Sequence, residues 1–172
     1  GNTGLRALNE VTGMRNTPSA SHVSFRIGPR LNAAGRMDSP TDALELLMTH
    51  DADRAMQLAH CLEAHNRARQ QEEEKIRAEA TQMLERDFSP ATDRVIVLGS
   101  RTWHPGVVGI VASLLMRRYH KPTFIISLDE NGLGKGSGRS IPGVSLVQAI
   151  HACADTIVSG GGHDMAAGLV IR

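Results

Sequence analysis

DADRAMQLAHCLEAHNRARQQEEEKIRAEATQMLERD, residues 51–87, holds neither glycine nor proline and is rich in Ala, Glu, Gln, Arg and Leu. These are strong helix formers. At 1.5 Å per residue a helix of that length would reach roughly 50 Å. Its apolar positions gather at the two ends, Met56, Leu58, Ala59 and Leu62 first, then Ile76, Ala80, Met83 and Leu84. Between them NRARQQEEEK is almost wholly polar. A helix buried at its ends and solvated in its middle is the pattern of a connector between two domains. The alternative is a helical hairpin broken near Asn66. Asp51 and Asp53 at the start suit a cap and a dipole partner better than a metal motif.

Upstream of it, GLRALNEVTGM sets Leu5 and Leu8 on one helical face, with Gly13 as a stop. In SHVSFRIGPRLNAAGRM, Val23, Phe25 and Ile27 alternate before a Gly-Pro break at 28 and 29. SPTDALELLMTH then begins a helix, with Ser39 as N-cap, Pro40 in the first helical position and Asp42 in the first turn. The opening GNTGLRALNEVTG reads as the interior of a longer protein, so the chain is expected to be a fragment.

Downstream, the grammar changes after FSPATD. RVIVLGS is a β-branched run expected to be a buried strand. GVVGIVASLLMRRYH is helical and KPTFIISLD is a second strand. GLGKGSGRS reads as a glycine-rich turn and strand, SLVQAIHACAD as a helix capped by Ser145, and AAGLVIR as the last strand. Strand, helix, strand, strand, helix, strand makes a compact α/β unit over about residues 91–172. The expected fold class is therefore α/β, with a small, mostly helical body over 1–50, a connector over 51–90 and the sheet unit beyond.

With 172 residues, 41% hydrophobic and 22% charged, the chain has a globular composition. Nineteen basic and eighteen acidic residues balance to +1, so any attraction for nucleic acid must come from local arrangement. Three Phe, one Trp and one Tyr leave few platforms for base stacking. Cys61 and Cys153 form no CxxC, which signals neither a disulfide framework nor a zinc site and favours a reduced, cytoplasmic setting. No apolar run is long enough for a membrane span.

Four short stretches carry candidate chemistry. GPRLNAAGR, 28–36, offers Arg30, Asn32 and Arg36 as a phosphate grip, or simply a turn with solvated arginines. SRTWHPGVVGI places His104 at a strand-to-helix turn, as an acid, a base, a phosphate contact or a structural histidine. GKGSGRS presents Lys135 and Arg139 on glycine backbone, without matching a phosphate-loop motif. SGGGHDMAAG, 159–168, offers three glycine N–H groups and His163 as an anion nest. His60 and His65 are five apart and do not align on a helix, so no metal ligand set is expected.

Taken in order and spacing, GPRLNAAGRMDSP, the long charged helix, TWHPGVVGIVAS, KGSGRS and GGGHDMAAGL resemble the RecJ family. These are single-stranded-DNA-specific 5′ to 3′ exonucleases of the DHH phosphoesterase superfamily. The resemblance implies that residues 1–50 are the end of a DHH domain, 51–90 the interdomain helix and 91–172 a DHHA1 domain. It further implies Mn²⁺ or Mg²⁺ held by Asp and His residues of a DHH domain outside this sequence, with no metal bound by this chain and no exonuclease activity from it alone. Single-stranded DNA is the implied partner, beside other DNA-repair proteins, and no membrane. By the same resemblance, strand contact falls on Arg139, Ser140, Gly161, Gly162 and His163, and on Arg30, Asn32, Arg36 and His104. His163 is expected to hydrogen-bond a phosphate or to act near the leaving group. The alternatives are a related phosphodiesterase of short oligonucleotides or cyclic dinucleotides, and a non-catalytic nucleic-acid-binding module.

Overall fold

The computed structural model describes residues 1–14 and 18–172. The chain divides into two compact units, Gly1–Gln71 and Glu72–Arg172. One uninterrupted helix, α5 (Ala52–Asp87, 36 residues), contributes to both, so no hairpin breaks at Asn66.

In the first unit, α1 (Thr3–Val11) is capped by Asn2, whose side chain accepts from the Leu5 N–H, and the chain turns out at Gly13 (φ +68°). Short α2 (Ala20–His22), a π-helical turn (Val23–Ile27) and α3 (Gly28–Met37) then follow without a break. This corrects the alternation and the Gly-Pro break expected at 23–29. Pro29 lies at the start of α3, where its missing N–H is least costly. The wide turn before it is closed by the Gly28 N–H donating to the Val23 carbonyl.

Next comes α4 (Thr41–Met48), which starts one residue later than expected, with Pro40 at the cap and the Ser39 hydroxyl accepting from the Thr41 N–H. Asp51 caps α5, its carboxylate accepting from the Asp53 and Arg54 N–H groups at 2.9 and 3.1 Å. Leu8, Ile27, Ala34 and Leu46 meet Ala55, Leu58, Ala59 and Leu62 of α5 in one core. A Cβ on Gly4 would fall 1.8 Å from the Leu46 carbonyl oxygen, so the backbones of α1 and α4 touch there.

In the second unit, α5 buries Ile76, Ala80 and Leu84, one stripe at i, i+4 spacing. A five-stranded sheet follows, in the order β1–β2–β3–β5–β4. Strand β1 (Ile96–Ser100) lies parallel to β2 (Thr123–Leu128), joined by α6 (Val108–Tyr119). Antiparallel to β2 comes β3 (Gly134–Arg139), then β5 (Ala166–Ile171), and finally β4 (Ile157–His163) at the far edge. Helix α7 (Leu146–Ala152) precedes β4 and packs Leu146 and Ile150 on Phe124 and Ala167.

Two strand expectations change. RVIVLGS is an edge strand, with Val95 and Val97 exposed, because nothing pairs beyond β1. SGGGH is itself a strand: from Ser159 to His163, β4 pairs with β5 across a two-residue turn, a hairpin that glycine's poor strand propensity conceals.

Candidate nucleic-acid interface

The glycines of GKGSGRS face inward. A Cβ at Gly134 would sit 2.8 Å from Ile126 Cγ2, at Gly136 2.9 Å from Leu169 Cδ1, and at Gly138 2.5 Å from Phe124 Cε1. Large side chains on β2 and β5 fill the space, so alternate β3 positions hold no side chain at all. Strand pleating then turns Lys135, Ser137 and Arg139 to the opposite face. There the Ser137 Oγ and an Arg139 guanidinium nitrogen approach Gly109 in the first turn of α6, within 2.8 and 3.2 Å of where a Cβ would stand. The expectation that these glycines let backbone meet a ligand is replaced by a packing reason.

Sheet register gathers the predicted residues. Arg139 pairs with Ala166, and Ala166 pairs with His163 on its other side. The next row on the same face is Ser137, Gly168 and Gly161. Strand spacing puts the outer members of each row about 10 Å apart. A Cβ on Gly161 would meet nothing within 4 Å, and one on Gly168 only the Gly136 carbonyl oxygen at 3.8 Å. The result is a bare backbone floor at Gly168 and Gly161, beside the row of Arg139, Ala166 and His163. One Arg139 nitrogen donates to Ser137 Oγ (2.9 Å) and to the Gly138 carbonyl (2.7 Å), which fixes the fork against the sheet.

His163 is exposed beside a two-residue turn, Asp164-Met165, that is tied down from three directions. The Ser140 N–H donates to the Met165 carbonyl and the Leu146 N–H to that of Asp164, both at 3.0 Å. The Ser145 hydroxyl, besides capping α7, donates to the Asp164 carboxylate. Ser140 itself is fully buried, its hydroxyl given to the Val144 carbonyl at 2.7 Å, so it braces this corner and cannot reach a strand on the surface. Gly161 and Gly162 lie in β4 and form no anion nest, since a nest needs consecutive N–H groups on one side and a strand alternates them.

The other predicted residues fall elsewhere. Arg30 is committed within the first unit: its Nε donates to Glu63 at 2.5 Å and another nitrogen to the Arg26 carbonyl at 2.7 Å. Glu63 also accepts from Arg67 at 2.9 Å. Burial pushes the Glu63 carboxyl up, but its bonds from Arg67 and Arg30 outweigh that and hold it below the ordinary range. Asn32 and Arg36 are exposed on α3.

His104 is half-buried, its Nδ1 accepting from the Gly106 N–H at 3.1 Å, which leaves Nε2 as the protonated nitrogen of the neutral ring. Its own N–H donates to Glu72 at 3.2 Å, so a carboxylate of α5 already takes this turn's donor. His104 and Lys135 share the wall of a cavity of about 500 Å³ with Trp103, Glu72 and Asp129, and neither Arg139 nor His163 lines it.

Sequence reasoning passed over two features. Ser137 enters the row through the period-two pattern of GKGSGR, which was legible had the stretch been read as strand throughout. Asp42, Cys61 and His65 converge in the first unit, a group visible only once α4 lies on α5.

Residues 92–172 match the family model of the DHHA1 domain. Over nearly its whole length the chain is a homologue of part of RecJ. It is 40% identical over 151 residues, 87% of this chain, to the single-stranded-DNA-specific exonuclease RecJ of Bacillus subtilis. It is 38% identical over 180 residues, 98% of this chain, to that of Escherichia coli. The Thermus thermophilus RecJ structure in complex with Mg²⁺ superposes with a TM-score of 0.84 at 38% identity, covering 99% of this chain and 26% of that one. The chain spans 19% and 30% of the lengths of the two curated relatives. Among the described residues no helix is long and apolar enough to cross a membrane.

Proposed function

We propose that this chain is the strand-holding part of a RecJ-like, single-stranded-DNA-specific 5′ to 3′ exonuclease acting in the cytoplasm. The observation that carries the reading is the Arg139–Ala166–His163 row beside the Ser137–Gly168–Gly161 floor. A guanidinium fork grips phosphate oxygens bidentately, and a floor without side chains lets a polynucleotide backbone come close without its bases being read. The positive end of α6 adds a second attraction for phosphate at the same place. His163, exposed at the rim, is poised to hydrogen-bond a phosphate. Gly162 shapes β4 beneath it.

Hydrolysis in this reading uses Mn²⁺ or Mg²⁺ held by a DHH domain outside this sequence. Among the described residues one group of three metal-ligating side chains comes together, Asp42, Cys61 and His65. Its thiol does not fit ions that prefer oxygen donors. In this reading the chain alone holds DNA without cutting it.

The test is an amide-shift map of the isotope-labelled chain titrated with oligothymidylate. Shifts should concentrate at Ser137, Arg139, Gly161, His163 and Gly168. Shifts confined to the opposite sheet face, or none at millimolar DNA, would overturn the reading.

A further inference from the structure

We propose that Asp42, Cys61 and His65 form a binding site for zinc or a similarly thiophilic divalent ion, clasping α4 to α5. This inference is independent of the proposed DNA contact.

Cys61 and His65 stand at i and i+4 on α5, the spacing that puts two side chains on one helical face. Asp42, in the first turn of α4, meets them from across the helix pair. One donor atom from each lies within 4.8 Å of both others, and the Cys61 Sγ is 3.2 Å from an Asp42 oxygen. Tetrahedral zinc with its usual bond lengths holds neighbouring donors about 3.3–3.8 Å apart, so roughly 1 Å of side-chain adjustment closes the shell. All three groups are half-buried, as a site screened from bulk water requires.

A second observation points the same way. His65 Nδ1 is shut off from solvent and has no hydrogen-bond partner, a costly condition that an ion shared with this ring would relieve.

The local field favours a cation. The carboxylates of Asp42 and Asp38 stand near the Cys61 sulfur, and their negative charge attracts a divalent ion. Arg54, the neighbouring cation, is held by Glu45 through two bonds of 2.6 and 2.7 Å. Thiolate, imidazole and carboxylate together discriminate against Mg²⁺ and Mn²⁺. Three protein ligands leave a fourth position for water.

Cobalt(II) added to the full chain is the probe, read by the near-ultraviolet thiolate-to-cobalt band and the visible bands of a tetrahedral site. The expected result is a one-to-one spectrum that zinc displaces and millimolar Mg²⁺ does not. Cys153→Ser should keep it, Cys61→Ser should abolish it, and His65→Gln should weaken zinc binding at least tenfold. Independently of any variant, zinc should slow alkylation of Cys61 while leaving exposed Cys153 unchanged. No thiolate band, a band that survives Cys61→Ser, or alkylation of Cys61 indifferent to zinc would overturn the proposal.

Discussion

Gly162 has φ +146°, and an added Cβ there would lie 2.5 Å from the Ala166 carbonyl oxygen and 2.6 Å from Ala167 Cα. Both neighbours are backbone of the paired strand, so nothing can give way. Gly162→Ala should cost about 2 kcal/mol or more in urea denaturation and disturb His163 next to it. Glu63 titrates in a predictable sense. Its carboxyl is lowered in the folded state, so its contribution to stability is fully present above about pH 4.3 and is lost as pH falls through the lower folded value. The stability difference between wild type and Glu63→Gln should therefore be largest near neutrality and shrink in acid, measured by denaturation at stepped pH. These residues also mark what was legible. Arg139 and His163 were picked out by their neighbours in the sequence and fall on one row. Ser140, adjacent to Arg139, lies on the buried side of a corner that composition does not reveal. Gly161 and Gly162 were recognised as special but read as an anion nest, because consecutive glycines suit a strand packed tightly at Gly162 as readily as a nest.

At the scale of elements, α5 was read from its sequence nearly to the residue, since helix formation depends on local propensity and its buried stripes repeat every turn. Helix α6 and strands β2 and β5 were legible for similar local reasons. Strand β4 was not, because three consecutive glycines carry little strand propensity and hide the hairpin it forms with β5. The polar contacts that α5 makes in the second unit were also hidden. Glu72, Lys75 and Glu79 bond the turn at 102–104: Lys75 donates to the Thr102 carbonyl at 2.9 Å, and Glu79 accepts from the Trp103 indole at 2.7 Å and the Thr102 hydroxyl at 3.2 Å. Read alone, that charged run looks like a solvated helix surface. Trp103 is buried and is the one tryptophan of the chain, so it reports on this contact directly. Glu79→Ala leaves the indole N–H without its acceptor. It should destabilise the unit by about 1–3 kcal/mol and shift the emission to the red in a fluorescence-monitored melt.

At the scale of the chain, helix α5 contributes to both compact units, the DHHA1 match lies in the second, and the near-neutral charge hides a local arrangement. Fold class came through in the sequence because periodicity switches from helical to strand after residue 90. The proposed interface was legible only in outline, because its row brings Arg139 beside Ala166 and His163, 27 and 24 residues further along the chain. That row is the centre of the functional account, and its signature is electrostatic. Binding of oligothymidylate by the wild-type chain and by Arg139→Ala, measured by fluorescence anisotropy over a range of salt concentrations, tests it most directly. Loss of one phosphate contact should weaken binding roughly tenfold and flatten the slope of log K against log salt by about 0.7. An Arg139→Ala chain that binds with the wild-type affinity and the wild-type slope would contradict the account.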